Sequence, residues 1–273
     1  MNEPTGLWIY CVIENRGTLN WDAQGVHGTS PVYTVAFGEF AMVVSKEPMK
    51  KYPLTRDFLM AHQRVNENVM QTQPVLPVKF CTMATNNEQI IEQVLKQKER
   101  VEEFRKTFAK LRGKTEYGLR ARWKNLDQVF SDLIRHNERV KAAKEKVLNL
   151  PEAKRQAALI DVGHVVKDAV EEKNAATAES LDRELSPHAA QYKNNHTLGD
   201  ANILNAVFLV EQDKQAEFDA TVNALVEKHE CEIHFKYVGP APPFNFVEIV
   251  IRWDTADKTA ADNKERVVAE LRD

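Results

Sequence analysis

The chain has little of what chemical sites are usually built from. Its 273 residues hold three cysteines, Cys11, Cys81 and Cys231, odd in number, far apart and without a Cys-x-x-Cys spacing. That excludes a disulfide framework and a cysteine-rich metal module, and it predicts buried free thiols. The ten glycines are scattered, and none forms the Gly-x-Gly-x-x-Gly or Walker loop that cradles phosphates. No Gly-x-Ser-x-Gly nucleophile elbow occurs. None of the eight histidines stands in the paired spacing of a zinc helix. No apolar run approaches the ~20 residues of a membrane-spanning helix, and no basic cluster precedes an apolar core at the N-terminus, so the chain is expected in the cytoplasm. There the sequon Asn195-His196-Thr197 has no meaning. A net charge of -3 gives no whole-protein attraction to nucleic acid or to an anionic membrane.

What remains is a globular composition, 43% hydrophobic and 28% charged, in a length typical of two domains. Leu7 to Ile13 is apolar on both faces, as in a strand covered on each side. Glu14 to Pro31 reads as a loop, and Gly38-Glu39 as a hairpin turn between Val32–Phe37 and Phe40–Ser45. From the N-cap Thr55, the residues Phe58, Ala61, Val65 and Val69 recur at helical spacing until Pro74. Val75 to Thr82 reads as one strand. Thr85-Asn86-Asn87-Glu88 reads as a capping box opening a long helix on Ile90, Val94, Val101, Phe104, Phe108 and Leu111, which ends at Gly113.

A second unit opens with Tyr117 to Lys124, where Leu119, Ala121 and Trp123 alternate with Arg120 and Arg122 as in a half-buried strand. Leu126–Leu148 and Pro151 to about Leu185 make a helical hairpin. Ile203–Val210 follows as a central strand, then a helix with Phe218, Val222, Leu225 and His229. Cys231 to Val238 then alternates, with Cys231, Ile233, Phe235 and Tyr237 on one face, and Phe246 to Trp253 completes the sheet. The expected fold class is therefore α+β, two domains in series. Residues 1–114 form the first, and 115–253 a modified ferredoxin-like sandwich with an inserted helical hairpin. The tail 254–273 is polar, with Val267, Val268 and Leu271 as its only apolar turn.

Packing accounts for the polar residues better than chemistry does. His62 lies beside the apolar stripe of its helix, which predicts a buried histidine bonded to a neighbouring strand rather than a general base. The basic run Lys96 to Lys114 is interrupted by Glu99, Glu102 and Glu103 and lacks interleaved aromatics, as in a solvated helix laced with ion pairs. Pro240, Pro242 and Pro243 fix φ and remove backbone donors, so strand pairing must stop there. The residues alone leave open a ferredoxin-like ligand-binding or nucleic-acid-binding regulator, motivated by the basic helix.

Three segments carry a resemblance. The helix with Met60-Ala61-His62-Gln63-Arg64-Val65-Asn66-Glu67, followed by Val75-Leu76-Pro77-Val78-Lys79-Phe80-Cys81-Thr82-Met83-Ala84, is similar to a signature of the gas vesicle protein F/L (GvpF/GvpL) family. In that signature a leucine-proline-x-basic-phenylalanine strand follows a helix with a histidine and a glutamate. Gly239-Pro240-Ala241-Pro242-Pro243-Phe244-Asn245-Phe246-Val247 resembles the family's second signature, and Gly6 to Ile13 its first strand. The motif positions carried over, structural or partner-facing, are His62, Glu67, Leu76, Pro77, Lys79, Phe80, Thr82, Gly239, Pro240, Pro242, Pro243 and Phe246. Lys79 stands where the family usually has arginine and cannot copy its planar, bidentate contact. Cys81 stands where glycine is usual, which implies a backbone with no need of positive φ.

The resemblance implies a minor structural component or assembly factor of gas vesicles. It implies contact with the major shell protein and other accessory gas vesicle proteins, and a place at this intracellular organelle. It implies no enzymatic step and no cofactor, and with the spacing, charge and hydropathy above, no catalytic residue, metal, nucleic-acid partner or membrane partner is expected.

Overall fold

The strand β1 (Thr5–Glu14) is buried along its whole apolar run, Leu7 to Ile13, and organises the first of two units in the computed structural model, which describes residues 3–253. The first unit comprises 3–112 with 242–253, the second 113–241. Val267, Val268 and Leu271 lie outside the described residues.

In the first unit β1 is followed by β2 (Asn20–Gln24), β3 (Pro31–Phe37), β4 (Phe40–Pro48), α1 (Arg56–Met70), β5 (Leu76–Pro77), β6 (Met83–Ala84), α2 (Asn87–Ile90) and α3 (Lys98–Leu111). The sheet order is β2-β3-β4-β1-β5, all antiparallel, with β6 also on β1. Gly38, at φ 62, turns the β3–β4 hairpin as its sequence required. The stretch read as one loop holds β2, whose alternation of exposed and half-buried residues is too weak a pattern to announce a strand. The capping box is shifted by one residue. Asn86 is the cap, accepting from Gln89 N at 2.8 Å, while Gln89 Oε1 reaches back to Thr85 N at 2.7 Å. The long helix is interrupted by a π-helical turn, Ile91–Leu95, before α3. Its basic residues pair locally: Arg100 with Glu103, Arg105 with Glu102 and Glu39, Lys106 with Glu102.

The expected single strand Val75–Thr82 is two short strands. Cys11 and Val12 pair with Pro77 and Leu76, while Leu7 and Trp8 pair with Ala84 and Met83. Between them Val78 N bonds Tyr10 O and Ile9 N bonds Thr82 O. Adjacent residues of β1 therefore face partners four apart, and Lys79-Phe80-Cys81 is squeezed out as a bulge closed by Thr82 Oγ1 donating to Lys79 O at 2.7 Å. The bulge puts Cys81 at φ 62. This corrects the inference drawn from a cysteine at that position: the glycine-type conformation is kept although the glycine is not. Cys81→Gly should therefore raise stability by up to about 1 kcal/mol, and Cys81→Val lower it by about 1–2 kcal/mol. Urea midpoints check both, and a stabilised valine variant would contradict the strain argument.

Residues 242–253 return to the first unit. Ile249 bridges Val78 in parallel, its N donates to Pro77 O at 3.1 Å and its O accepts from Lys79 N at 3.0 Å. The sequence grouped Phe246–Trp253 with the second sheet as a full strand. A single bridge forms instead, because Pro242 and Pro243 end the pairing that the preceding strand makes.

The second unit runs β7 (Lys114–Trp123), α4 (Leu126–His136), α5 (Glu138–Leu148), α6 (Glu152–Leu185), β8 (Gln191–Asn194), β9 (Asn202–Glu211), α7 (Gln215–Lys228) and β10 (Ile233–Ala241). The sheet order is β10-β7-β9-β8, every neighbouring pair antiparallel. Tyr117, Leu119, Ala121 and Trp123 face a core with Leu181, Leu185, Phe208, Phe218, Val222 and Ile233. Asn137 splits the expected Leu126–Leu148 helix, its side-chain oxygen capping α5 by accepting from Arg139 N and Val140 N. The four exposed residues of β8 offered no apolar signal. Of the three free thiols only Cys11 is buried. Cys81 is half-buried, and Cys231, ahead of β10 rather than within it, is exposed.

Candidate functional site

The motif histidine sits on α1 because Val65 and Val69, at helical spacing from it, turn that face into the first core. His62 is 4% exposed. Trp8 Nε1 donates to its Nδ1 at 3.0 Å, which leaves the ring proton of the neutral imidazole on Nε2. Tyr10 stacks on the ring at 5.3 Å, and Phe80 and Phe244 lie at 5.8 and 6.5 Å between centroids. Burial pushes the imidazole down to about 4, opposed in part by the Val78 backbone, although Nε2 has no hydrogen bond of ordinary geometry among the described residues. The first signature and Phe244 of the second thus meet at one aromatic cluster.

A polar chain adjoins it. Ser45 Oγ donates to Glu47 Oε1 at 2.7 Å, so Tyr10 OH must be the donor in its 2.8 Å bond to Ser45 Oγ. Tyr10 OH accepts from Val26 N at 3.0 Å, and Glu47 Oε2 lies 2.6 Å from His27 Nδ1. Burial holds the Tyr10 phenol well above its ordinary value. Glu47 is 1% exposed, and its two oxygens are each engaged, as a buried carboxylate requires. The chain fastens the loop between β2 and β3 to β4. Sequence reasoning missed His27, Ser45 and Glu47; the strand was read only as far as Ser45, and β4 runs on through Lys46 and Glu47 to Pro48.

The chain has the residue types of a hydrolytic triad without its connectivity. Ser45 is fully buried and bonds the carboxylate, not an imidazole, so no nucleophile is paired with a base. At neutral pH neither a raised phenol nor a depressed, sealed imidazole exchanges protons with a substrate. Gly25 is packed against this chain: a Cβ there would stand 2.2 Å from Glu47 Oε1 and 2.5 Å from Ser45 Oγ. Gly25→Ala should cost about 1–3 kcal/mol through overpacking and a broken network. Thermal unfolding measures this, and an unchanged melting temperature would show that the loop moves aside freely.

The other motif residues are mostly packed. Leu76, Pro77 and Thr82 are buried, Phe80 edges Trp8 at 5.2 Å, and Glu67 accepts from Gln63 Nε2 at 2.6 Å. Lys79 is exposed at the tip of the bulge. The second signature is divided. Gly239 and Pro240, joined by a cis peptide bond, end β10, where a Cβ on Gly239 would strike the Tyr117 ring at 2.4 Å. Pro242, Pro243 and Phe246 belong to the first unit, with Val247 N donating to Pro243 O at 2.9 Å. Among the described residues no group of three histidines, cysteines or carboxylates could hold a metal ion, and no helix is long and apolar enough to cross a membrane. Two open depressions of about 490 Å3 lie on the second unit, one beside Asp132, His136 and Lys173, the other beside Asp182, Tyr192 and Asn194; neither includes a motif residue.

Known proteins resemble this chain over most of its length. The family model described as gas vesicle synthesis protein GvpL/GvpF matches residues 6–248. Gas vesicle protein F of Dolichospermum flosaquae is 22% identical over 251 residues, 89% of this chain and 98% of that protein. Gas vesicle protein F of Haloferax mediterranei is 25% identical over 251 residues, 91% and 96% of the two chains. The crystal structure of GvpF from Anabaena sp. PCC7120 superposes with a TM-score of 0.76 at 21% identity, covering 90% of this chain and 99% of that one.

Proposed function

We propose, from the premise that this chain belongs to the gas vesicle GvpL/GvpF family, that it is a minor structural component or assembly factor that docks onto the major shell protein and other accessory gas vesicle proteins. The observation that carries the reading is the family match across residues 6–248, with both signatures spent mainly on packing. A scaffold needs its signature residues for shape, whereas an enzyme would gather them around a cavity. The chain is accordingly read as a gas vesicle protein without a catalytic step. The β-α-β-β-α-β succession and the order β10-β7-β9-β8 support reading the second unit as a modified ferredoxin-like domain, with α4, α5 and α6 in place of its first helix.

Docking surfaces for an apolar shell protein are on offer in the first unit. Leu54, 64% exposed, and Leu59 and Met60 on α1 leave apolar side chains in water, and exposed apolar surface of this kind serves partners. Lys79, at the tip of the bulge, is a motif residue open to a partner, as are Gly239 and Pro240 at the end of β10. Co-expression with the major shell protein tests the reading. The two proteins should co-purify, and Leu59→Glu with Met60→Glu should weaken the complex by about tenfold. Buoyant vesicles of normal shape in cells lacking this polypeptide would overturn it.

A further inference from the structure

The sheet of the second unit carries a cationic field on the face away from its core. Tyr117, Leu119, Ala121 and Trp123 face the core, so the alternate residues of β7, Arg120 and Arg122, point the other way and are exposed. On β10, Ile233, Phe235 and Tyr237 face or pack against the same core, and His234 and Lys236 are exposed opposite. Register puts Lys236 across from Arg120 and His234 across from Arg122. On the other flank of β7, Arg120 pairs with Asn205 and Arg122 with Asn202. Lys124 and Glu232, also exposed, lie at the upper end of this face, where Lys124 N bonds Glu232 O at 2.8 Å.

These cations lack the partners that the helical ones have. Arg120 donates to the neutral Asn205 Oδ1 at 3.2 Å, and among the described residues Arg120, Arg122 and Lys236 form no ion pair. Like charges opposite each other across a sheet are destabilising. Two arginines and a lysine so placed oppose folding by mutual repulsion, and an anionic ligand would relieve it.

We propose that this sheet face is a docking site for an acidic helix of a partner protein. Spacing fits the occupant: neighbouring cations stand about 5 Å apart across strands and about 7 Å along β7, close to the 5–6 Å between carboxylate-bearing residues four apart on a helix. Arg120 and Arg122 present planar forks that match carboxylates bidentately, and Asn202, Asn205 and His234 add polar groups around them. Nucleic acid fits less well. Every aromatic residue of β7 and β10 faces the core, leaving no stacking platform on this face. The site shares no residue with the apolar positions 54–60 assigned to shell docking, so either proposal can fail without the other.

Fluorescence anisotropy on the full chain tests it with a labelled synthetic helical peptide bearing glutamates four residues apart. Its glutamine counterpart and a thymidine oligonucleotide of equal charge serve as alternative probes. The acidic peptide should bind, and Arg120→Glu with Arg122→Glu should weaken it at least about tenfold. Lys144→Glu with Lys146→Glu, exposed on α5, should change it by less than about twofold. If the double reversal impairs folding, Arg120→Gln with Arg122→Gln, which keeps the side chains polar, should still weaken binding. Equal binding of the glutamine peptide, tighter binding of the oligonucleotide, or equal loss in the α5 variant would each overturn the proposal.

Discussion

Trp8→Ala should remove about 3–5 kcal/mol of unfolding free energy, the range for deleting a fully buried large aromatic. Trp8 is 0% exposed, and its ring edges Tyr52 at 4.9 Å and Phe80 at 5.2 Å. Truncation would open a cavity between β1, α1 and the bulge, and it would also strip His62 Nδ1 of its donor, so two costs combine. Trp8→Phe separates them, since it keeps most of the apolar contact and loses the N–H. It should cost about 1–3 kcal/mol, the penalty of an orphaned buried acceptor plus a small void. For a domain of ordinary stability, between about 5 and 15 kcal/mol, the alanine variant sits near the edge of folding at growth temperature. Urea denaturation of the two variants checks this. Equal losses in both would assign the whole effect to the hydrogen bond, and a loss below about 1 kcal/mol in the alanine variant would show a core that collapses to fill the space.

The sequence carried this cluster only in part, and the reasons differ by residue. His62 was legible because helical spacing put it beside Val65 and Val69, and β1 because seven consecutive apolar residues admit few other readings. Glu47 and Ser45 were not, since a carboxylate in a strand ordinarily announces a solvent face; its partner His27 lies 20 residues away in a loop. The bulge escaped notice because Val75 to Thr82 reads as one continuous strand. Nothing local says that adjacent residues of β1 will pair with Val78 and Thr82, as only the opposing strand enforces that offset. Cys81 added a misleading cue, a residue that disfavours positive φ held there at φ 62. Surrounding pairing over-determines the backbone, so its strain is tolerated.

Strand order was harder still. The second unit's helices and three of its four strands follow from periodicity, but β8 is wholly exposed, and the apolar run after Pro243 reads like a strand although it joins the other unit through one bridge. Hydrophobic pattern identifies segments that want burial; it does not say which sheet receives them. Prolines at 242 and 243 gave the one usable hint, since a chain that cannot continue pairing is free to change neighbours. The same pattern concealed the cationic face: Arg120 and Arg122 read as an ordinary solvent side until register set Lys236 and His234 against them.

His62 makes the first unit acid-labile with a sign that is fixed by its burial. Its pKa falls from an ordinary 6.5 to about 4 in the folded chain, so between those values the unfolded state binds the proton that the folded state refuses. Stability therefore declines as pH drops through 6.5, and the decline ends near pH 4, where the folded imidazole also protonates. A shift of this size corresponds to about 3 kcal/mol across the window. His62→Gln isolates the contribution, because the amide oxygen can still accept from Trp8 while nothing titrates. At pH 7.5 the variant should be less stable than the parent by about 1–2 kcal/mol, through imperfect packing and the lost stacking on Tyr10. Near pH 4.5 the order should narrow or reverse, since only the parent is penalised for keeping an imidazole neutral. Every other titratable group is common to the two proteins and cancels in the difference between the two curves. Parallel curves from pH 7.5 to 4.5 would show that His62 reaches water, and with it that the Trp8–His62 pair is a surface contact rather than a sealed one.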